Sequence, residues 1–453
     1  MEEPQTTADC PRCRALEAQI AKLAAELEEV RRAGKRQAAP FRKPKKPKPR
    51  KPGRKPGKDY GKHERRVAPS PEEIDETHDA PLPPECPRCG SAHVQETHVA
   101  QQFQVDLPQR PIHRQFNIHI GRCQKCNGRV QGRHELQTSS ALGAAAAQLG
   151  PNAHVAMALL NKELGLSHGK VARMFELMFN IRVARATSAR SSARTSRRCE
   201  QAYAELRSAV KASSQVVPDE TGWRVGGENA WLHVVVGDNA TCFEIDPTRS
   251  RQPVERLLGM EWSGLMVHDG WSVYRKFDRA VHQQCTNHLL KRCHELLAAA
   301  IGGAVRFPRR VAKLLKQGLA FRDRHENGEV SRHGLLVMAG RLKSQMLDLV
   351  FPVKTHPGNE TLANFLYGHL DELFAYLRHP GKMDATNYRA EQAIRPAVVN
   401  RKVWGGNRTW LGARVQSILA SVIRTCHQRL IEPFHYLANV LTSPQPPPLP
   451  LPS

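Results

Sequence analysis

The 453-residue sequence contains no apolar run near the roughly 20 residues needed to cross a bilayer, so no membrane-spanning helix is expected. Its first residues, Met-Glu-Glu-Pro-Gln, are acidic and lead into no apolar stretch, so a secretory leader is not expected either. Acids are the minority charge: 43 Asp and Glu stand against 68 Lys and Arg, a formal net charge of +25. That surplus points to a polyanionic partner, of which nucleic acid is the commonest. A disulfide framework is also unexpected, because the eleven cysteines are odd in number and no leader accompanies them. The length suits two to four domains.

Six of those cysteines form Cys-x-x-Cys pairs: Cys10/Cys13, Cys86/Cys89 and Cys123/Cys126. In Cys86-Pro-Arg-Cys89-Gly and Cys123-Gln-Lys-Cys126-Asn-Gly, two thiols share a turn with a glycine for the backbone reversal. Four such ligands suit tetrahedral Zn2+ in a closed structural site. Alternating apolar residues between the pairs (Phe103, Val105; Ile112, Phe116, Ile118, Ile120) predict strands, so residues 80–136 are expected to form a zinc ribbon. Cys10/Cys13 has no second pair beside it and stays unassigned.

Ahead of the ribbon, Leu16, Ile20, Leu23, Leu27 and Val30 mark a short heptad helix within residues 1–33. Whether that seam joins two chains or packs on its own protein stays open. Residues 34–68 read as a disordered Lys/Pro linker: from Arg31 to Arg66, seventeen Lys or Arg meet two acids, and six prolines exclude regular structure. Such a run suits sequence-independent phosphate contact, with Lys43, Lys45 and Lys46 as candidate DNA contacts. After the ribbon, residues 139–215 turn helical. A helix over 169–179, the turn Asn180-Ile181 and a second helix opening near Thr187 resemble a helix-turn-helix, although an ordinary helical pair gives the same pattern. Its second helix carries Arg190, Arg194, Arg197 and Arg198, of which Arg190 and Arg194 are candidate DNA contacts.

From Val216 the pattern changes to short strands over 216–225, 230–236 and 241–245, a helix over 253–258, and a buried strand that ends in Asp269. That order is the order of a ribonuclease-H-like sheet, which sets carboxylates from its first and fourth strands side by side. Asp219 and Asp269 stand at those places, and Glu391 offers a third acid on a later helix. Three oxygen donors suit two Mg2+ (or Mn2+) ions about 3.5–4 Å apart, an arrangement for phosphoryl transfer. Neighbours on a strand face opposite ways, so only one of Asp219 and Glu220 can serve, and Asp219 is chosen. Arg395, one helical turn past Glu391, suits a phosphate or the carboxylate itself. Arg401, Lys402, Trp404, Arg408, Trp410 and Arg414 interleave cations with aromatics, a pattern suited to backbone contact and base stacking.

Between Asp269 and Glu391 lie 121 residues whose basic, helix-prone middle predicts an α-helical insertion over 301–380. The expected fold class is therefore multidomain α+β. A ribonuclease-H-like mixed sheet (216–300 and 381–442) carries the insertion, behind the heptad helix, linker, zinc ribbon and helical segment, with a disordered Pro-rich tail at 443–453.

From about Leu16 to Leu441 the sequence resembles the transposases of the insertion-sequence-66 family, bacterial proteins of the Asp-Asp-Glu type. The likeness is carried by Asp219-Glu220-Thr221-Gly222-Trp223, Asp269-Gly270-Trp271, Cys285-x-x-His288 and Asn387-x-x-Ala390-Glu391 with Ile394-Arg395-Pro396. Arg401-Lys402-x-Trp404, Gly412-Ala413, Pro433 and Tyr436-Leu437 extend it. It implies Asp219, Asp269 and Glu391 as metal-binding catalytic acids, cleavage at transposon ends, and strand transfer into target DNA. It further implies a homo-oligomer on DNA, small accessory proteins, and a bacterial cytoplasmic, nucleoid-associated location. Cys285 and His288 could form a metal-ligand pair, but with only two ligands a packing and orienting role is preferred. Two alternatives stay open: a nuclease of the same fold without strand transfer, and a non-catalytic zinc-ribbon DNA binder from a decayed element.

Overall fold

The computed structural model of the chain describes residues 148–299 and 302–451 throughout, most of 69–142, and Gln19, Ile20 and Leu23. The linker with Lys43, Lys45 and Lys46 lies outside the described residues, as do Cys10, Cys13 and Cys86. The chain divides into two units, residues 1–108 and 109–453. In the first, Ser70 and Glu73 close a single 3-10 turn, Pro71–Glu73, with the Ser70 N–H donating to the Glu73 carboxylate at 2.8 Å. Ile20 and Leu23 are helical and exposed.

The second unit opens with an antiparallel hairpin of β1 (Ile120–Arg122) and β2 (Arg129–Gln131). Four helices follow: α1 (Pro151–Lys162), α2 (His168–Phe179), α3 (Arg185–Arg198) and α4 (Glu200–Lys211). Helix α2 starts on Ser167, whose hydroxyl accepts the Lys170 N–H, and stops on Asn180 in the left-handed region at φ 53°. The inward face of α3 is Ser188, Ser191, Ser192, Thr195 and Ser196, side chains small enough for α1 to pack closely.

A five-stranded sheet forms the centre, in the order β5-β4-β3-β6-β7. Strands β3 (Gln215–Val225), β4 (Glu228–Val236) and β5 (Thr241–Asp246) are an antiparallel meander. Gly226 and Gly227, both at positive φ, supply the tight turn that joins β3 to β4. Helix α5 (Gln252–Leu258) then carries the chain back, so that β6 (Leu265–His268) lies parallel to β3 and β7 (Val281–Gln284) parallel to β6.

Strand alternation divides the core between two faces. Val217, Trp223, Leu232 and Val234 pack under α6 (Thr286–Ala299), α7 (Arg306–Glu326), α8 (Arg332–Val350), α9 (Pro357–Tyr367), α10 (Ala375–Arg378) and α11 (Tyr388–Trp404). Val216, Val235, Cys242 and Met266 pack under α4, α5, α12 (Trp410–Gln428) and α13 (Pro433–Thr442). The result is a mixed sheet between two helical layers.

Edge strand β5 is sealed by α12. The N–H groups of Thr241, Phe243 and Ile245 donate to the hydroxyls of Thr425, Ser421 and Ser417 at 3.0, 2.8 and 3.2 Å. Every second strand residue meets every fourth helix residue, because two strand steps and one helical turn cover nearly the same length. The tail differs from its expected disorder. Arg429 donates to the carbonyls of Leu449 and Pro450, Arg198 to those of Val440 and Ser443, and Leu449 is buried. Proline cannot join a ladder, but its carbonyl remains an acceptor, and two arginines use it here.

Candidate active site

Asp219 lies half-way along the central strand β3, opposite Val234 of β4. Its carboxylate accepts the Glu220 N–H at 2.9 Å and pairs with no cation among the described residues. Burial, and then the negative charges of Glu220, Asp269 and Glu391, push its pKa up to about 7. Asp269 and Glu391, far from Asp219 in the sequence, are thus close enough in the fold to act on its charge.

Glu220 turns elsewhere. Its side chain is 2 % exposed, with Arg249 donating to Oε1 through Nε at 3.1 Å and Nη2 at 2.6 Å. The Tyr274 hydroxyl donates to Oε2 at 2.6 Å, so both oxygens are engaged. Arg249 in turn lies 4.9 Å from the Trp231 ring and 4.8 Å from the Trp271 ring.

Asp269 follows β6, and its Oδ1 accepts the Trp271 N–H at 2.9 Å. Gly270 between them has φ +95°, and a Cβ there would stand 2.7 Å from Gln284 Oε1, so conformation and space both demand glycine. His268, just before Asp269, is fully buried, and burial followed by the His282 charge pushes its pKa down to about 3. The neutral ring accepts the Gly270 N–H at Nδ1, which leaves Nε2–H to donate to His282 Nδ1 at 3.1 Å. The histidine pair thus fixes the turn that carries Asp269.

Glu391 occupies the first turn of α11, its N–H bonded to the Asn387 carbonyl and its side chain 44 % exposed. His288 Nδ1 stands 3.8 Å from Glu391 Oε1. Cys285 joins the two acid-bearing elements: its N–H donates to the His268 carbonyl at 2.7 Å, and its Sγ accepts the Asn387 N–H at 3.4 Å. The Thr286 N–H adds a bond to the Ala385 carbonyl at 3.0 Å. Among the described residues no three His, Cys, Asp or Glu side chains form a ready-made metal cage.

A family model described as the IS66 transposase family matches residues 147–415. The chain belongs to the IS66 family of transposases. The matched stretch is more than half of the chain and contains Asp219, Asp269 and Glu391. A comparison with curated proteins finds no match. Among the described residues, no helix is long and apolar enough to cross a membrane.

The transposase's other candidate contacts differ in what they touch. Arg190 is exposed on α3, and Arg194 is half-buried, its charge acting on His154. Arg198 is occupied with carbonyls of α13 and the tail. Arg395, Lys402 and Arg408 are exposed. Arg401 donates to Thr221 Oγ1 at 3.3 Å, two residues past Asp219 on the same strand. Trp404 is not a free stacking surface: it meets Trp223 edge-on at 5.9 Å and has Lys162 over its ring. Arg414 is paired with Glu200.

Of the expected zinc ligands, Cys89 is exposed, while Cys123 and Cys126 lie on the β1–β2 turn. N–H groups of Cys126 and Lys125 directed at the Cys123 sulfur lower its pKa, which favours the thiolate. Sequence reasoning missed Arg249, Tyr274, Trp231 and the His268–His282 pair. Arg249 sits in a Ser/Thr/Arg-rich loop that carries no motif, and only the fold brings it to Glu220.

Proposed function

We propose that this transposase cuts DNA at the ends of its element and joins the freed ends to target DNA, with Asp219, Asp269 and Glu391 as the catalytic acids of a ribonuclease-H-like core. One observation carries the reading: Asp219 stands half-buried on the central strand with no cationic partner among the described residues, and Cys285 bonds both to the His268 carbonyl beside Asp269 and to the Asn387 N–H at the start of the Glu391 helix. Oxygen-only donors that repel one another, with no paired cation on Asp219, fit a hard divalent ion. Asp219, Asp269 and Glu391 would hold Mg2+ or Mn2+, which when bound would strengthen the attacking oxygen and stabilise the leaving one. The strand order and the insertion between β7 and α11 support the assignment of the core.

In the first reaction a water oxygen bonds to phosphorus and the P–O3′ bond breaks. The products are a 3′ hydroxyl and a 5′ phosphate: one water proton ends on the departing 3′ oxygen, and the other passes from the new phosphate to solvent. In the second, that 3′ oxygen bonds to a target phosphorus as the target's own P–O3′ bond breaks, its proton passing to the departing oxygen. Arg249 and Tyr274 hold Glu220 out of the way, and Arg401 offers positive charge beside β3. Cys86, Cys89, Cys123 and Cys126 hold a structural Zn2+; the thiolate-favouring turn at Cys123 supports this. Lys43, Lys45, Lys46, Arg190, Arg194, Arg395, Arg401, Lys402 and Arg408 serve as DNA contacts, and the DNA-bound form is a homo-oligomer aided by small accessory proteins.

The test incubates purified protein with Mg2+ and a labelled fragment bearing the element's ends, with plasmid as target. Cleavage and joining of the labelled 3′ end to plasmid are expected, both lost in Asp219→Asn, Asp269→Asn and Glu391→Gln. Full cleavage by any of these variants would contradict the assignment. Cleavage without joining would leave a nuclease.

A further inference from the structure

Helix α7 carries Arg306, Arg309, Arg310, Lys313 and Lys316 in its first three turns, all exposed, with no acid before Asp323. Its other face, Phe307, Val311, Leu315 and Gly318, is buried in the core, so packing decides which way the cations point. Between α6 and α7 lies an open groove of about 470 Å³, lined by His294 and Leu297 on one side and Arg309, Lys313, Lys316 and Gln317 on the other.

No carboxylate lines this groove, and among the described residues Arg309, Lys313 and Lys316 have no ion-pair partner. Nearby cations behave differently: Arg324 pairs with Glu329 at 3.0 Å, and Lys343 and Arg378 both pair with Asp371. Arg306, Arg310, Arg332 and Arg341 of the insertion are likewise exposed and form no ion pair among the described residues, so what marks the groove is three such cations along one wall with no carboxylate lining it. Spacings of four and three put Arg309, Lys313 and Lys316 in one stripe, about 10 Å long at 1.5 Å per residue. Helix α6 passes His288, next to Glu391, and reaches His294 six residues later, about 9 Å along its axis and about a third of a turn round it.

We infer that the α6–α7 groove binds the phosphate backbone of duplex DNA. The inference rests on the DNA-processing function proposed above and adds a surface to it. Duplex DNA presents one charge per about 1.7 Å of axis, so a stripe of three unpaired cations meets several phosphates and displaces their counterions.

The test measures binding of the full chain to a labelled duplex across a salt series. Replacing Arg309, Lys313 and Lys316 together by Gln should lower the slope of log affinity against log salt by about 2–3, one phosphate per lost cation. Replacing Arg324, Lys343 and Arg378 by Gln removes the same formal charge from groups already paired, and the slope should not change. Equal slopes for the unaltered protein and the groove variant, or equal losses in both variants, would overturn the groove and leave the transposase reading intact. Failure of the unaltered protein to bind the duplex at any salt would overturn both.

Discussion

Arg249 holds Glu220 through two hydrogen bonds at 3.1 and 2.6 Å, while Asp219, one residue earlier on the same strand, has no cationic partner among the described residues. Two adjacent acids thus have separate surroundings, one anchored by an arginine and a tyrosine and the other without a counter-ion among the described residues. Asp219→Asn should reduce Mg2+-dependent cleavage by at least ~10²-fold, the scale on which a positioned acid or base contributes. Glu220→Gln should keep most of the cleavage and instead lose stability, about 1–2 kcal/mol after allowance for the partly exposed arginine. Cleavage assays and urea titrations of the two variants check this; equal loss of cleavage in both would refute it.

Cys285 links the Glu391 helix to the Asp269 strand, through the Asn387 N–H and the His268 carbonyl, and His288 Nδ1 stands 3.8 Å from Glu391 Oε1. His288→Ala should lower the cleavage rate about 10-fold or more, the usual scale for residues that orient metal ligands, with DNA affinity unchanged. His288→Gln should restore part of the rate. A rate unaffected by His288→Ala would show that the 3.8 Å approach to Glu391 has no role.

The hydroxyls of α12 occupy the edge of the sheet. Ser421→Ala removes the acceptor of the buried Phe243 N–H and should cost about 1–3 kcal/mol, the price of an unsatisfied buried donor. Ser421→Thr keeps a hydroxyl and should lose less. Chemical denaturation measures both, and an unchanged midpoint for Ser421→Ala would contradict the seal.

Acid should loosen the α1–α3 helices first. His154 and His168 bond to Ser191 and Ser188, and burial, with Arg194 acting on His154 and Lys162 on His168, pushes both pKa values down from 6.5 to about 4. The unfolded chain therefore takes up these protons before the folded one does. Their contribution is complete above pH 6.5 and is lost as the pH falls towards 4. Hydrogen exchange in α1 and α3 should rise across that window, and His154→Gln with His168→Gln should flatten the response.

Much of the core was legible because its signals are local. Alternation in Val216, Val217, Trp223 and Val225 and the later strands marks the sheet to within a few residues. Asn180 marks the end of α2 because it tolerates the left-handed turn. The candidate acids stand out in the sequence within Asp219-Glu220-Thr221, Asp269-Gly270-Trp271 and Asn387-x-x-Ala390-Glu391. The partners of Glu220 were not, since Arg249 and Tyr274 carry no pattern that links them to it. The order in the Pro-rich tail was likewise hidden, because it depends on arginines from α3 and α12.

The amino-acid sequence by itself determined the strand and helix periods, the excess of positive charge and the residue types available for chemistry, all properties of neighbours in the chain. Only the tertiary structure decided that Glu220 is held while Asp219 has no cationic partner among the described residues, that Cys285 ties one acid-bearing element to another, and that three cations of α7 line a groove with no carboxylate in its walls. Those outcomes depend on distances between residues far apart in the chain, and such distances exist only once both faces of the sheet have been covered.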